Sequence, residues 1–145
     1  MKTWVAVLLL ALALSGCREV RVKSYATGET IVPGGNQITI VRSRQDLERL
    51  GVRALPVRFN HEFGVILIMG PHAESGWKQV IEDIRANEHR TRIVAFEHAP
   101  PDGGQPVPEY HTYTLWIVPN SVYRRGSVID VVTPDGALVA STLLK

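Results

Sequence analysis

The sequence predicts an all-β domain, mainly an antiparallel sandwich or barrel-like, with one short helix near residues 43–50. Three observations lead there: six or seven short runs of strand composition, turn residues between them, and a single helical signal. One helix cannot supply the crossovers that a parallel sheet of this size requires.

The elements follow in order. Residues 18–35 are polar and rich in glycine, with the short alternation Val20, Arg21, Val22, Lys23, and read as a tether leading into an edge strand. Ile38-Thr39-Ile40-Val41 is a β-branched strand. Ser43 is then a candidate N-cap, Leu47 and Leu50 share one helical face, and Gly51 ends the helix. "FGVILIMG" is a continuous apolar run of strand length between glycines, the pattern of a strand buried on both faces. "GWKQVIEDI" alternates imperfectly, and a helix competes there. Strand is preferred because Gly76 precedes it and its aromatic and β-branched residues favour a sheet.

"TRIVAFEH" is a strand, and the prolines and glycines of "APPDGGQPVPE" predict a long irregular loop. "YHTYTLWIVP" places Tyr113, Leu115 and Ile117 on one side and Thr112, Thr114, Trp116 and Val118 on the other. "SVIDVV", "TPDG" and "ALVASTLL" close the chain as a hairpin. The expected core is Phe63, Val65, Leu67, Val94, Phe96, Leu115, Ile117, Val128, Val131, Leu138 and Leu143.

The first residues carry Lys2, the apolar run Val5 to Leu14 and then Leu14-Ser15-Gly16-Cys17. This is a secretory signal, too short for a membrane span of about 20 apolar residues. It resembles a bacterial lipoprotein signal, matching the lipobox at every position. The resemblance implies cleavage before Cys17 and acylation of that cysteine, the single cysteine of the chain. Two or more lipid chains anchor stably, at about 0.8 kcal/mol per buried methylene. The expected division is therefore a signal peptide at 1–16, a lipidated N-terminus and tether at 17–36, and one β-rich domain at 37–145. The expected location is the bacterial cell envelope. Arg18, in place of an aspartate, permits the outer membrane of a Gram-negative host, and otherwise the anchor lies on the outer face of the plasma membrane.

Charge excludes one class of partner. The chain has 16 basic and 14 acidic residues, and Arg124-Arg125 is its one adjacent basic pair, so nothing resembles a nucleic-acid stripe. No glycine-rich phosphate loop or nucleotide fingerprint is present, and no cofactor is expected.

Candidate chemistry is sparse. "GPHAESGW" brings His72, Glu74 and Ser75 close together, but triad members normally come from separate rigid segments, and Ser75 lacks the Gly-x-Ser-x-Gly elbow. No catalytic residue is assigned, and the chain is read as a non-enzyme. The five histidines lack ligand spacing, and no metal site is assigned; His98 and His111, with Glu97 and Glu109, are the set that could meet around one loop. The remaining candidates are two contact loops, Pro71, His72, Glu74, Ser75, Gly76 and Trp77 in one, Pro100, Pro101, Asp102, Gly103 and Gly104 in the other.

The order of features, "S-x-x-D-L-x-x-L", "VRFNHEFGVILIMG", "ESGW", "RIVAFEHAPP" and "HTYTLWIVP", resembles the C-terminal domain of PrcB-type protease-complex lipoproteins over roughly half the chain. Trp77 departs from that family's pattern, where a Gly-Tyr pair is common. The resemblance implies an all-β domain on an envelope lipoprotein that supports a membrane-associated protease complex, and it implies no catalytic residues. A second likeness is to chagasin-like inhibitors of cysteine peptidases, carried by the Gly-aromatic ending of "HAESGW". The expected function is thus binding or stabilising a protein partner, with a loop-based protease inhibitor as the alternative and a hydrolase behind it.

Overall fold

The computed structural model describes residues 22–53 and 57–145. The signal segment, Cys17, Arg18 and Val20 lie outside the described residues, as do residues 54–56. Among the described residues eight strands form two four-stranded sheets. The first sheet contains β1 (Ser24–Thr30), β6 (Pro106–Pro119), β3 (Glu62–Glu74) and β2 (Gln37–Val41), in that order, all antiparallel. The second contains β4 (Lys78–Ala86), β5 (Arg90–His98), β7 (Val128–Val132) and β8 (Leu138–Leu143). Within it β5 and β7 run parallel, and the chain between them travels through β6 in the other sheet. No helical crossover is needed. The all-β sandwich with one short helix is the fold predicted from sequence.

Local chemistry accounts for α1 (Arg44–Arg49), the one α-helix among the described residues. The Ser43 hydroxyl accepts from the Asp46 amide at 3.1 Å, and an Asp46 carboxylate oxygen accepts from the Ser43 amide at 3.0 Å, a reciprocal capping box. Leu47, 1% exposed, is the residue that the helix buries.

From Phe63 to Met69 β3 is apolar, because the first sheet is covered on both faces there. Phe63, Val65, Leu67 and Met69 point into the core shared with the second sheet, joined by Trp116, Val118, Ile93, Ala95 and Val131. Ile66 and Ile68 point the other way, into a second core with Val32, Val41, Leu47, Val52 and Leu115. Ile66 and Leu67 are adjacent, fully buried and serve different cores. Truncating either to alanine removes contacts worth about 2–5 kcal/mol.

Several expectations are corrected. β5 buries Ile93 and Ala95, while Val94 and Phe96 face outward and are half-buried. Strand alternation permits either face, and side-chain size was no guide to which one faces the other sheet. Leu138 and Leu143 are 66% and 49% exposed, and Ala140 takes the inward position. Val131 pairs with Ala140 and Val132 with Leu138, so Val139 is an extra residue that turns Leu138 outward, whereas Leu143 has the opposite parity to Ala140. Val128 is half-buried. The edge strand expected after the tether is β1, which is paired along its length with β6 and therefore lies in the folded domain, ahead of residue 37. The proline-rich segment is also shorter than expected, because β6 already begins at Pro106. β1 ends opposite His111, so the first residues of β6 pair on one side alone, where proline's missing N–H costs no ladder bond. Among the described residues no helix is long and apolar enough to cross a membrane.

Candidate functional site

β3 is irregular at its end. Its pairing with β6 shifts between Met69 and His72 and again between His72 and Glu74, and the Gly70–Pro71 peptide is cis. Pro71, His72 and Glu74, expected in a turn, are thus part of a bulged strand, and the turn proper is Ser75–Gly76. Met69 faces the second sheet, so regular alternation sends Pro71 inward and His72 outward. The bulge reverses this, and the side chain of His72 enters the space between the sheets, where it is 9% exposed.

There His72 meets Glu97 of β5, itself 11% exposed, with Nε2 2.7 Å from Oε1. A carboxylate can only accept, so this nitrogen carries the proton. The Thr112 hydroxyl donates to the same carboxylate oxygen at 2.6 Å. Trp77 stacks on the imidazole at 4.3 Å with the rings 11° apart, and Tyr110 packs at 5.8 Å on another side. The Tyr110 hydroxyl donates to the Glu74 carbonyl at 2.9 Å. Below this group Gln79 of β4 donates to the carbonyls of Leu67 and Thr112 at 3.2 and 2.9 Å and accepts from the Thr114 hydroxyl at 2.8 Å. Two polar links therefore join the sheets at one end of the sandwich, with their side-chain groups paired as burial demands.

The two predicted loops lie above this floor and touch. The Ser75 amide donates to the Gln105 carbonyl at 2.8 Å, and the Gln105 amide donates to the Ser75 hydroxyl oxygen at 3.0 Å. Pro100 accepts from the Gly103 amide at 3.1 Å, which folds the loop back on itself. Glycine is required where the loops cross. A Cβ on Gly76 meets Pro100 at 2.9 Å, and one on Gly104 collides with the Ser75 carbonyl oxygen, both at positive φ. Pro71, Glu74, Gly76, Pro101, Asp102 and Gly103 are exposed, and Trp77, Ser75, Pro100 and Gly104 are half-buried between them.

The sequence-predicted residues thus sort by role. The Ser75 hydroxyl is engaged with Gln105 and His72 Nε2 with Glu97, and no hydrogen bond joins Ser75 to His72 among the described residues. Glu97 meets His72 instead of His98 or His111. His98 Nδ1 lies 2.7 Å from the Ala99 carbonyl, while buried His111 donates from Nε2 to the Gly34 carbonyl at 2.8 Å. Among the described residues no three His, Cys, Asp or Glu side chains gather as a metal site. Sequence reasoning missed Gln79, Thr112, Thr114 and Gln105. Thr112 and Thr114 share the parity of Trp116 and Val118, so hydroxyls on a buried face were a signal that a buried partner such as Gln79 had to satisfy.

No known protein family, curated protein or solved structure matches this chain.

Proposed function

We propose that this protein is an acylated envelope lipoprotein whose sandwich binds or stabilises a protein partner, with a protease complex as the partner class. The observation that carries the reading is the reciprocal hydrogen bonding of Ser75 and Gln105, which joins the two exposed loops into one surface. The surface is preorganised, because the His72–Glu97–Thr112 and Gln79 links fix the strands that bear it. Preorganised loops on a rigid scaffold lose less entropy on binding. The lipobox at Cys17 supports the membrane anchor, and the resemblance to PrcB-type domains supports the partner class. A binding role without catalysis is favoured by the engagement of Ser75 and His72 with other groups.

A photoreactive amino acid at Asp102, and separately at His89 at the other end of the sandwich, tests this in envelopes carrying the full chain. A discrete adduct from position 102 and none from 89 is the expected result. Equal adducts at both positions, or none at 102, refute the surface. The clustering of both loops at one end also favours a second reading, inhibition of papain-type proteases. Its mark is inhibition by the full chain that Trp77→Ala and Asp102→Arg relieve.

A further inference from the structure

At the end of the sandwich opposite the two loops, the sheets part around a cavity of about 110 Å³. Its walls are the hydrocarbon of Phe63, Val65, Ile84, Ile93, Ile129 and the Trp116 ring. Exposed Asn87, Glu88 and Arg124 line one side, which marks the mouth. An apolar cavity of about 150 Å³ is known to stay dry and to take up benzene, so the size suits a short hydrocarbon segment. Water needs two to four polar partners, and the walls around Phe63, Ile93 and Ile129 are hydrocarbon, with Asn87, Glu88, Thr91, Arg124 and Ser127 as the polar part of the lining. A peptide backbone entering here leaves its N–H and C=O groups unpaired, which costs about 1–3 kcal/mol each.

The mouth adds a charge. Arg124 donates from Nη1 to the carbonyls of Ser121 and Tyr123 at 3.1 and 2.9 Å, which holds the guanidinium at the rim. Asn87 is occupied in its own turn, accepting from the His89 and Arg90 amides, and the Ser127 hydroxyl donates to the Glu88 carbonyl. Arg124 and Glu88 are therefore the charged groups of the rim, and of the two Arg124 is the one that attracts an acidic head. We infer that this cavity binds the hydrocarbon chain of a single-chain amphiphile whose acidic head group rests on Arg124. Val22 lines the same cavity, and Cys17 precedes it by five residues, a reach of about 17 Å. An acyl group on Cys17 has the reach but carries no acidic head, so the occupant is a free acidic lipid and the acyl group its competitor.

Trp116 in the wall provides the readout. In the full chain carrying Cys17→Ala, the changes Trp4→Phe and Trp77→Phe leave Trp116 as the single tryptophan. An ω-brominated hexanoate, short enough for this volume, is expected to quench its fluorescence saturably, and unbrominated hexanoate to reverse this. Ala86→Phe fills the cavity and is expected to weaken binding more than about tenfold, at 0.8 kcal/mol per methylene excluded. Arg124→Gln, on an exposed residue, is expected to weaken it about two- to fivefold, the range of an exposed ion pair. Non-saturable quenching, or unchanged affinity in an Ala86→Phe chain of normal circular dichroism, overturns the proposal. Unchanged affinity in Arg124→Gln overturns the acidic head, and this variant decides alone if Ala86→Phe does not fold. The same titration with Cys17 restored and acylated separates the sources. Retained quenching there upholds the free acidic lipid, and loss of quenching means that the chain's own acyl group fills the cavity, which overturns it.

Discussion

Ser75 and Gln105 lie 30 residues apart in sequence and exchange two hydrogen bonds, one from each amide. One acceptor is a backbone carbonyl that substitution cannot remove, and the other is the Ser75 hydroxyl. Ser75→Ala therefore halves the junction. The expected loss is about 0.5–1.5 kcal/mol of stability, read as a lower urea midpoint, with faster hydrogen exchange at the Gln105 amide. Unchanged exchange at Gln105 contradicts the junction.

Glycine contrast tests how closely the loops pack. Gly103 and Gly104 both have positive φ, but a Cβ on Gly103 meets open space and one on Gly104 meets the Ser75 carbonyl. Gly103→Ala is expected to cost about 1–2 kcal/mol from backbone strain alone. Gly104→Ala pays the same strain plus the collision and should lower the unfolding midpoint further. Equal midpoints for the two variants mean that the loops do not meet as described.

Glu97 holds two donors from the opposite sheet, so its removal strands both. Glu97→Ala is expected to cost about 1–3 kcal/mol, and Glu97→Gln less, because the amide oxygen still accepts. A double-mutant cycle of Glu97→Gln with Thr112→Val should show coupling above about 0.5 kcal/mol. Strict additivity removes the link between them.

At the far end of β3, Glu62 is buried and accepts from Lys23 Nζ at 2.5 Å, from the Arg58 amide at 3.0 Å and from its guanidinium at 3.3 Å. The hydrogen bond from Lys23 leads in pulling its pKa down to about 2, from an ordinary 4.5. A depressed folded-state pKa stabilises the protein above the unfolded value and loses that contribution as pH falls from about 4.5 to about 2. Glu62→Gln should flatten the acid limb of a stability-against-pH curve in that window. A limb of unchanged slope assigns acid unfolding to other carboxylates.

The legible parts of the fold were those fixed by local chemistry. Ser43 and Asp46 sit three apart and build their capping box without distant help, so α1 could be read directly. The run from Phe63 to Met69 announced burial on both faces, and two cores supply it. His72–Glu97 was not legible, since the partners are 25 residues apart and a bulge reverses the parity that sequence alternation assigns to His72. Val139 hides Leu138 from prediction in the same way, because one extra residue changes which face a strand presents. The contact loops were legible as turn-rich segments, while their meeting depended on the strand pairing beneath them.

Because β3 lies between two cores, it cannot be exposed by separating the sheets or by lifting α1 alone. Both layers must leave before its amides reach solvent. Its hydrogen exchange therefore reports global unfolding, and that of edge strands β1 and β4 reports partial opening. The molecule has a built-in clock with one slow hand, and comparing the two rates separates ligands that brace the whole domain from those that only close an edge.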